Sequence, residues 1–221
     1  MNATYRLDRE QGLLFDSSGR RFDPCQRVWI EAHAPVVGEV VTSIAAASWL
    51  QRQNGMAVRV PVGVIGPREA SSAQLLAAEN VGYGLASMGL VVICGGRHGV
   101  MEGVCRGAAS AGGVSIGLLP DADPSFANLH VSIVIATGIG EARNALIARA
   151  SLCLIVIGDS FGTLSEVALG RQFGKRVIGL EGAAKVAGVI HVASVEQALA
   201  EVAHDLLHCA ATGHRVPQTA R

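Results

Sequence analysis

Charge is scarce in this chain: only 16% of the 221 residues are Asp, Glu, Lys or Arg, and the formal net charge is zero. Binding along a phosphate backbone needs a basic excess, so no nucleic-acid partner is expected. Long apolar runs are missing as well. No stretch reaches the roughly 18 to 20 residues that a membrane span requires, and the polar start, residues 1–10, does not read as a signal peptide. A cytoplasmic protein with no membrane partner is expected. Paired cysteine motifs are also lacking: Cys25, Cys94, Cys105, Cys153 and Cys209 are odd in number and show no Cys-x-x-Cys spacing. They are expected to be mostly buried free thiols rather than metal ligands. What the chain has in abundance is hydrophobic residues, 50% of the total. With so little bare polar surface, a homo-oligomer whose interface hides apolar area is expected.

The chain divides by pattern into residues 1–58 and 59–221. In the first part, residues 5–8, 13–16 and 21–22 read as short strands separated by the turn formers Gln11-Gly12 and Ser17-Ser18-Gly19-Arg20. They predict a small β-meander. A helical pattern over residues 38–53 follows, presenting Val40, Val41, Ile44, Ala45 and Trp49. A meander of this size is not stable alone and must pack on something else.

From Arg59 onward strands and helices alternate. Strands are predicted over residues 60–66, 90–95, 114–119, 131–137, 152–157, 177–180 and 189–192. Helices are predicted over 72–88, 100–111, 141–150, 164–173 and 195–207. Repeated βα units with β-branched, fully apolar strands predict an α/β fold: a Rossmann-like, doubly wound parallel sheet with helices on both faces. The β-meander and its helix form a small N-terminal extension to it.

Three turns at the carboxyl ends of these strands carry the functional signal. The first, Gly66-Pro67-Arg68-Glu69, is not the spaced glycine fingerprint of dinucleotide-binding folds. The second, Gly95-Gly96-Arg97-His98-Gly99-Val100-Met101, has three glycines in five residues and runs straight into a helix, so its backbone N–H groups can face an anion. His98 reads as a polar loop residue, and Arg68 and Arg97 as solvated or ion-paired side chains. The third turn, Gly158-Asp159-Ser160-Phe161-Gly162-Thr163-Leu164-Ser165-Glu166, follows the apolar run 152–157. Gly162 permits close approach of a phosphate and Thr163 adds a hydroxyl. Taken alone, Thr163 and Glu166 read as a Thr-x-x-Glu capping box without chemistry. The segment Glu141-Ala142-Arg143-Asn144 changes that balance, because parallel strands set successive loops side by side. Arg143 and Glu166 then converge on one pocket with the three turns, either as a functional pair or as a structural ion pair.

The combination Gly95-Gly96-x-x-Gly99-Val100-Met101, Glu141-x-Arg143-Asn144 and Gly162-Thr163-x-x-Glu166 resembles the LOG family, formerly labelled lysine decarboxylases. Within that superfamily it looks closest to the DprA-related branch that includes molybdenum cofactor carrier proteins. The resemblance spans about residues 60–192. It implies a doubly wound sheet and cleavage of the N-glycosidic bond of nucleoside 5′-monophosphates, giving free base and ribose 5-phosphate. By the same resemblance Arg143 and Glu166 match the catalytic pair, and Gly162 and Thr163 the phosphate-binding pair. The remaining positions assigned to the nucleotide site are Gly66, Pro67, Gly95, Gly96, Gly99, Met101, Asn144, Gly158, Asp159 and Ser160.

The residue types suit that chemistry. Glycosidic cleavage passes through an oxocarbenium-like state that a carboxylate at Glu166 would stabilise, while Arg143 stays charged and orients it. No metal or redox cofactor is required. Two departures point to an alternative. Gly158-Asp159-Ser160 stands where the family has Pro-Gly-Gly, and an ionised Asp159 repels a phosphate unless it points away. Gly66-Pro67-Arg68 replaces a serine-bearing turn, as in the carrier-like branch. A phosphoribohydrolase is therefore the first expectation. The alternative is a nucleotide or molybdenum-cofactor binding protein that does not hydrolyse its ligand.

Overall fold

The structure is a computed structural model and describes residues 4–32 and 35–208; Cys209 lies outside them. Within the described residues the chain forms two compact units. One takes the chain up to Ala57 and from Val202 onward, and the other is Val58–Glu201.

The first unit is a five-stranded antiparallel sheet with one helix and the end of another. Its strands are β1 (Thr4–Asp8), β2 (Leu13–Phe15), β3 (Arg21–Asp23), β4 (Val28–Ile30) and β5 (Glu39–Thr42), in the order β4-β3-β2-β1-β5. Alternation drives it: Tyr5 and Leu7 are buried while Arg6 between them is exposed. They join Leu14, Phe22, Trp49, Leu50 and Leu207 in one core. The Trp29 indole N–H donates to the Leu207 carbonyl at 2.7 Å. The three predicted strands are present, and β4 adds a fourth after the turn at Asp23-Pro24, where Asp23 Oδ1 accepts the Cys25 and Gln26 N–H groups. The predicted helix over 38–53 is corrected. Glu39–Thr42 is a strand, with Val40 and Val41 paired opposite Arg6 and Tyr5 of β1. Two adjacent β-branched residues beside an open strand edge favour pairing over a helical turn. The helix α1 begins only at Ser43–Arg52, capped by Thr42, whose hydroxyl accepts the Ala45 N–H at 3.2 Å.

The second unit is the Rossmann-like α/β fold. Its strands are β6 (Val62–Ile65), β7 (Val92–Cys94), β8 (Ser115–Leu119), β9 (Ile133–Ala136), β10 (Leu154–Ile157), β11 (Val177–Leu180) and β12 (Val189–His191). They form one parallel sheet in the order β12-β11-β10-β6-β7-β8-β9. The helices are α2 (Ser72–Ser87), α3 (Val100–Ser110), α4 (Arg143–Ala150), α5 (Phe161–Gln172) and α6 (Val195–His208), the last shared with the first unit. Central strands β6 and β10 are buried at every position, as continuous apolar runs require in a sheet covered on both faces. The edge strand β9 differs: Ile133, Val134 and Ile135 are all exposed. Cys94, Cys105 and Cys153 are buried, and Cys25 is exposed.

The chain winds outward from β6 to β9, returns through α4 to β10 beside β6, and then winds the other way. The connections leaving the carboxyl ends of the paired strands β6 and β10 therefore turn in opposite directions at the switch point, where such sheets open a crevice for ligands.

Candidate functional site

A cavity of 610 Å³ occupies that switch point. The turn after β6 supplies Gly66, Pro67, Arg68 and Glu69; the turn after β7 supplies Gly95 and Met101. Glu141, Arg143 and Asn144 enter from the start of α4, and Asp159, Ser160, Gly162, Thr163 and Glu166 from the start of α5. The three turns and the two charged residues singled out in the sequence are thus brought together.

Close approach explains two of the glycines. A Cβ on Gly95 would stand 2.6 Å from both the Arg143 Nη2 and the Met101 sulfur, so a side chain there would displace the guanidinium from its present position. Gly99 has φ +71°, and a Cβ there would meet the Pro67 carbonyl at 2.5 Å, which fastens the second turn against the first. Gly96, Gly99 and Gly158 do not line the cavity. Gly96 stands over Gly117, and Gly158 adjoins the Gln74 side chain.

Helix α5 starts earlier than its apolar spacing suggested, and the capping box of Thr163 with Glu166 is corrected. The cap is Ser160, whose Oγ accepts the Thr163 N–H at 3.1 Å and lies 2.8 Å from the Thr163 hydroxyl. Ser160 is extended, with φ −165° and ψ 165°, as a cap residue requires. The helix therefore begins at Phe161, and Glu166, its sixth residue, falls in the second turn. There it is only 6% exposed and meets Arg143, itself 4% exposed, with Nη1 donating to Oε1 at 3.3 Å.

Burial dominates the electrostatics of this pair. It pushes the Glu166 carboxyl up to about 8; the Arg143 charge opposes that shift and Glu141 adds to it. One long hydrogen bond to Arg143 does not offset the loss of water. Arg143 Nε and Asn144 Oδ1 are buried without a hydrogen-bond partner. Asn144 Nδ2 donates to Ser165 Oγ at 3.1 Å. Arg68 pairs with Glu141 at 3.3 Å on the rim, and His98 with Glu102 at 3.2 Å, away from the cavity lining. Arg97 pairs with Asp121. Glu69 is a lining residue outside the set expected from sequence; its only signal there is its place in the first turn.

A doubly wound sheet with a polar crevice at its switch point, walled by glycine turns and two helix starts, defines a Rossmann-like ligand-binding protein. The chain belongs to the SLOG cluster4 family, whose family model matches residues 59–209. It is similar to an uncharacterized protein of Archaeoglobus fulgidus, 38% identical over 138 residues that span 62% of this chain and 91% of the relative. Among solved structures it is similar to the molybdenum cofactor binding protein of Rippkaea orientalis, with 34% identity, TM-score 0.62, and coverage of 66% of this chain and 97% of that one. The molybdenum cofactor carrier protein of Chlamydomonas reinhardtii matches with 33% identity, TM-score 0.62, and coverage of 67% and 99%. DNA processing protein A of Streptococcus pneumoniae, at 22% identity, TM-score 0.53, and coverage of 64% and 61%, shares the fold.

Proposed function

We propose that the pocket holds a phosphate-bearing pterin or nucleotide, with the molybdenum cofactor as the leading candidate, and carries it without cleaving it. One observation bears most weight: over about two thirds of its length the chain is similar, at 33 to 34% identity, to a molybdenum cofactor binding protein and to a molybdenum cofactor carrier protein.

The residues fit such cargo. A volume of 610 Å³ lies within the roughly 300 to 1,000 Å³ of small-molecule sites. The N–H groups at the start of α5, with the Ser160 and Thr163 hydroxyls, suit a phosphate. Arg143 lines the cavity with its positive charge, and Asp159 at the mouth can accept hydrogen bonds from ring or amino N–H groups. The test is retention: protein mixed with molybdenum cofactor and passed through a desalting column should elute with the pterin fluorescence, and Thr163→Val should lose it. Elution without pterin from the wild type would defeat the carrier reading.

The convergence of Arg143 and Glu166 favours a second reading, a phosphoribohydrolase acting on nucleoside 5′-monophosphates with no metal or redox cofactor. It requires base release that Glu166→Gln abolishes. In either reading the zero net charge speaks against a nucleic-acid partner, and a cytoplasmic location fits a chain in which no described helix is long and apolar enough to cross a membrane. We read the exposed Ile133, Val134 and Ile135 of β9 as surface covered by a second copy of the chain. Sedimentation of the wild type as a dimer or larger, reduced to monomer by Ile135→Asp, is the expected result.

A further inference from the structure

We infer that the last turns of α6 carry a binding site for a transition-metal ion of the Zn²⁺ type, with the imidazoles of His204 and His208 as its anchoring ligands. The site lies in the first unit and does not depend on what the cavity of the α/β unit binds.

Spacing supplies the first argument. His204 and His208 stand four residues apart on α6, one above the other on the same face, the His-x-x-x-His arrangement by which a helix presents two imidazoles to one ion. Both residues are exposed, so an ion has access from solvent. Their ring centres are 4.2 Å apart, with 17° between the planes. Two nitrogens on one tetrahedral zinc ion stand about 3.4 Å apart, a spacing that a small rotation of these exposed rings reaches.

Orientation supplies the second. His208 Nδ1 lies 3.0 Å from the His204 carbonyl oxygen, which can only accept, so Nδ1 carries the proton. In the neutral ring the lone pair is then on Nε2. Metal-ligating histidines fix their tautomer and direction in this way, one ring N–H given to a backbone carbonyl and the other nitrogen left to bind. The helix end that carries the pair is also held. The Arg27 guanidinium and the Trp29 indole N–H donate to the carbonyls of Leu206 and Leu207, and the Trp29 ring packs against His208 with centres 6.1 Å apart. Terminal carbonyls that a helix leaves open are thereby satisfied, which steadies the two imidazoles.

Donor type sets the class of ion. Imidazole suits Zn²⁺, Ni²⁺ and Cu²⁺, whereas Mg²⁺ and Ca²⁺ take oxygen ligands. No group of three or more His, Cys, Asp or Glu that could hold a metal occurs among the described residues, so the two imidazoles anchor the ion and other donors complete its shell. Cys209, the next residue in the sequence and outside the described residues, brings a thiol of the same preference.

The test uses the untagged full chain, stripped of metal, titrated with Zn²⁺ against a chromophoric chelator and with Ni²⁺ while tryptophan emission is followed. Zn²⁺ binding and quenching by Ni²⁺ are expected, because Trp29 packs against His208. His204→Ala and His208→Ala, both at exposed positions, should each weaken Zn²⁺ by roughly tenfold or more and remove the quenching. Cys209→Ser should weaken it less than either. Zn²⁺ binding that survives both histidine variants, or a loss confined to Cys209→Ser, would overturn the site. So would a wild type that takes up no Zn²⁺, which would leave the histidine pair as a stacked surface contact and nothing more.

Discussion

The two helix pairs of the α/β unit are built on opposite terms. Helices α2 and α3 meet backbone to backbone through small residues. A Cβ on Gly107 would overlap the Glu79 carbonyl, and one on Gly82 the Val104 carbonyl. Helices α4 and α5, which right-handed crossovers put on the other face of the sheet, meet through buried polar groups. Arg143, Asn144, Thr163 and Glu166 are all under 9% exposed there, and two of their atoms lack partners. The first pair is satisfied without any ligand; the second is not. Adjacent residues that each leave a buried polar atom without a hydrogen bond, beside a switch-point crevice, mark a candidate site.

Substitutions should separate the two pairs. The largest effect is expected on the glycine side: Gly107→Val forces α2 and α3 apart and should cost about 4 kcal/mol of stability, seen as a lowered denaturation midpoint. A midpoint within error of the wild type would mean that the close approach is not a constraint.

On the polar side the effect depends on pH. The Glu166 carboxyl sits near 8 in the folded chain against 4.5 for the free side chain, so the unfolded state releases this proton first. Its contribution is fully present below about 4.5 and is lost as pH rises through about 8. Glu166→Gln should match the wild type near pH 5 and exceed its stability near pH 9 by on the order of 3 kcal/mol. Parallel pH profiles for the two proteins would mean that Glu166 is ionised when folded.

Smaller changes are expected at the rim. Asp159→Ala should weaken cofactor binding about tenfold if its carboxylate takes ligand hydrogen bonds, and unchanged affinity would remove it from the site. Arg68→Ala breaks only the exposed pair with Glu141 and should alter stability by less than about 0.5 kcal/mol. A larger loss would show that the rim is held as firmly as the interior.

Much of this contrast was legible in the sequence. Apolar runs such as residues 152–157 announce buried parallel strands, and the spacing of Arg143 and Glu166 at successive helix starts announces their meeting. Other features depend on geometry that sequence does not display. Residues 39–42 carry apolar positions that fit a helix, and only the open edge of β1 makes them a strand. The capping role fell to Ser160 rather than Thr163 because both are good caps and only the backbone angle decides. The orphaned Oδ1 of Asn144 follows from a three-residue hydrogen-bond chain that no motif encodes.

The central claim, that the pocket retains its ligand without cleaving it, is tested most directly by incubating the protein with a panel of nucleoside 5′-monophosphates and measuring free base by chromatography. No base above the uncatalysed background is predicted, from wild type and Glu166→Gln alike. Base released by the wild type and abolished by Glu166→Gln would contradict that claim and establish the hydrolase.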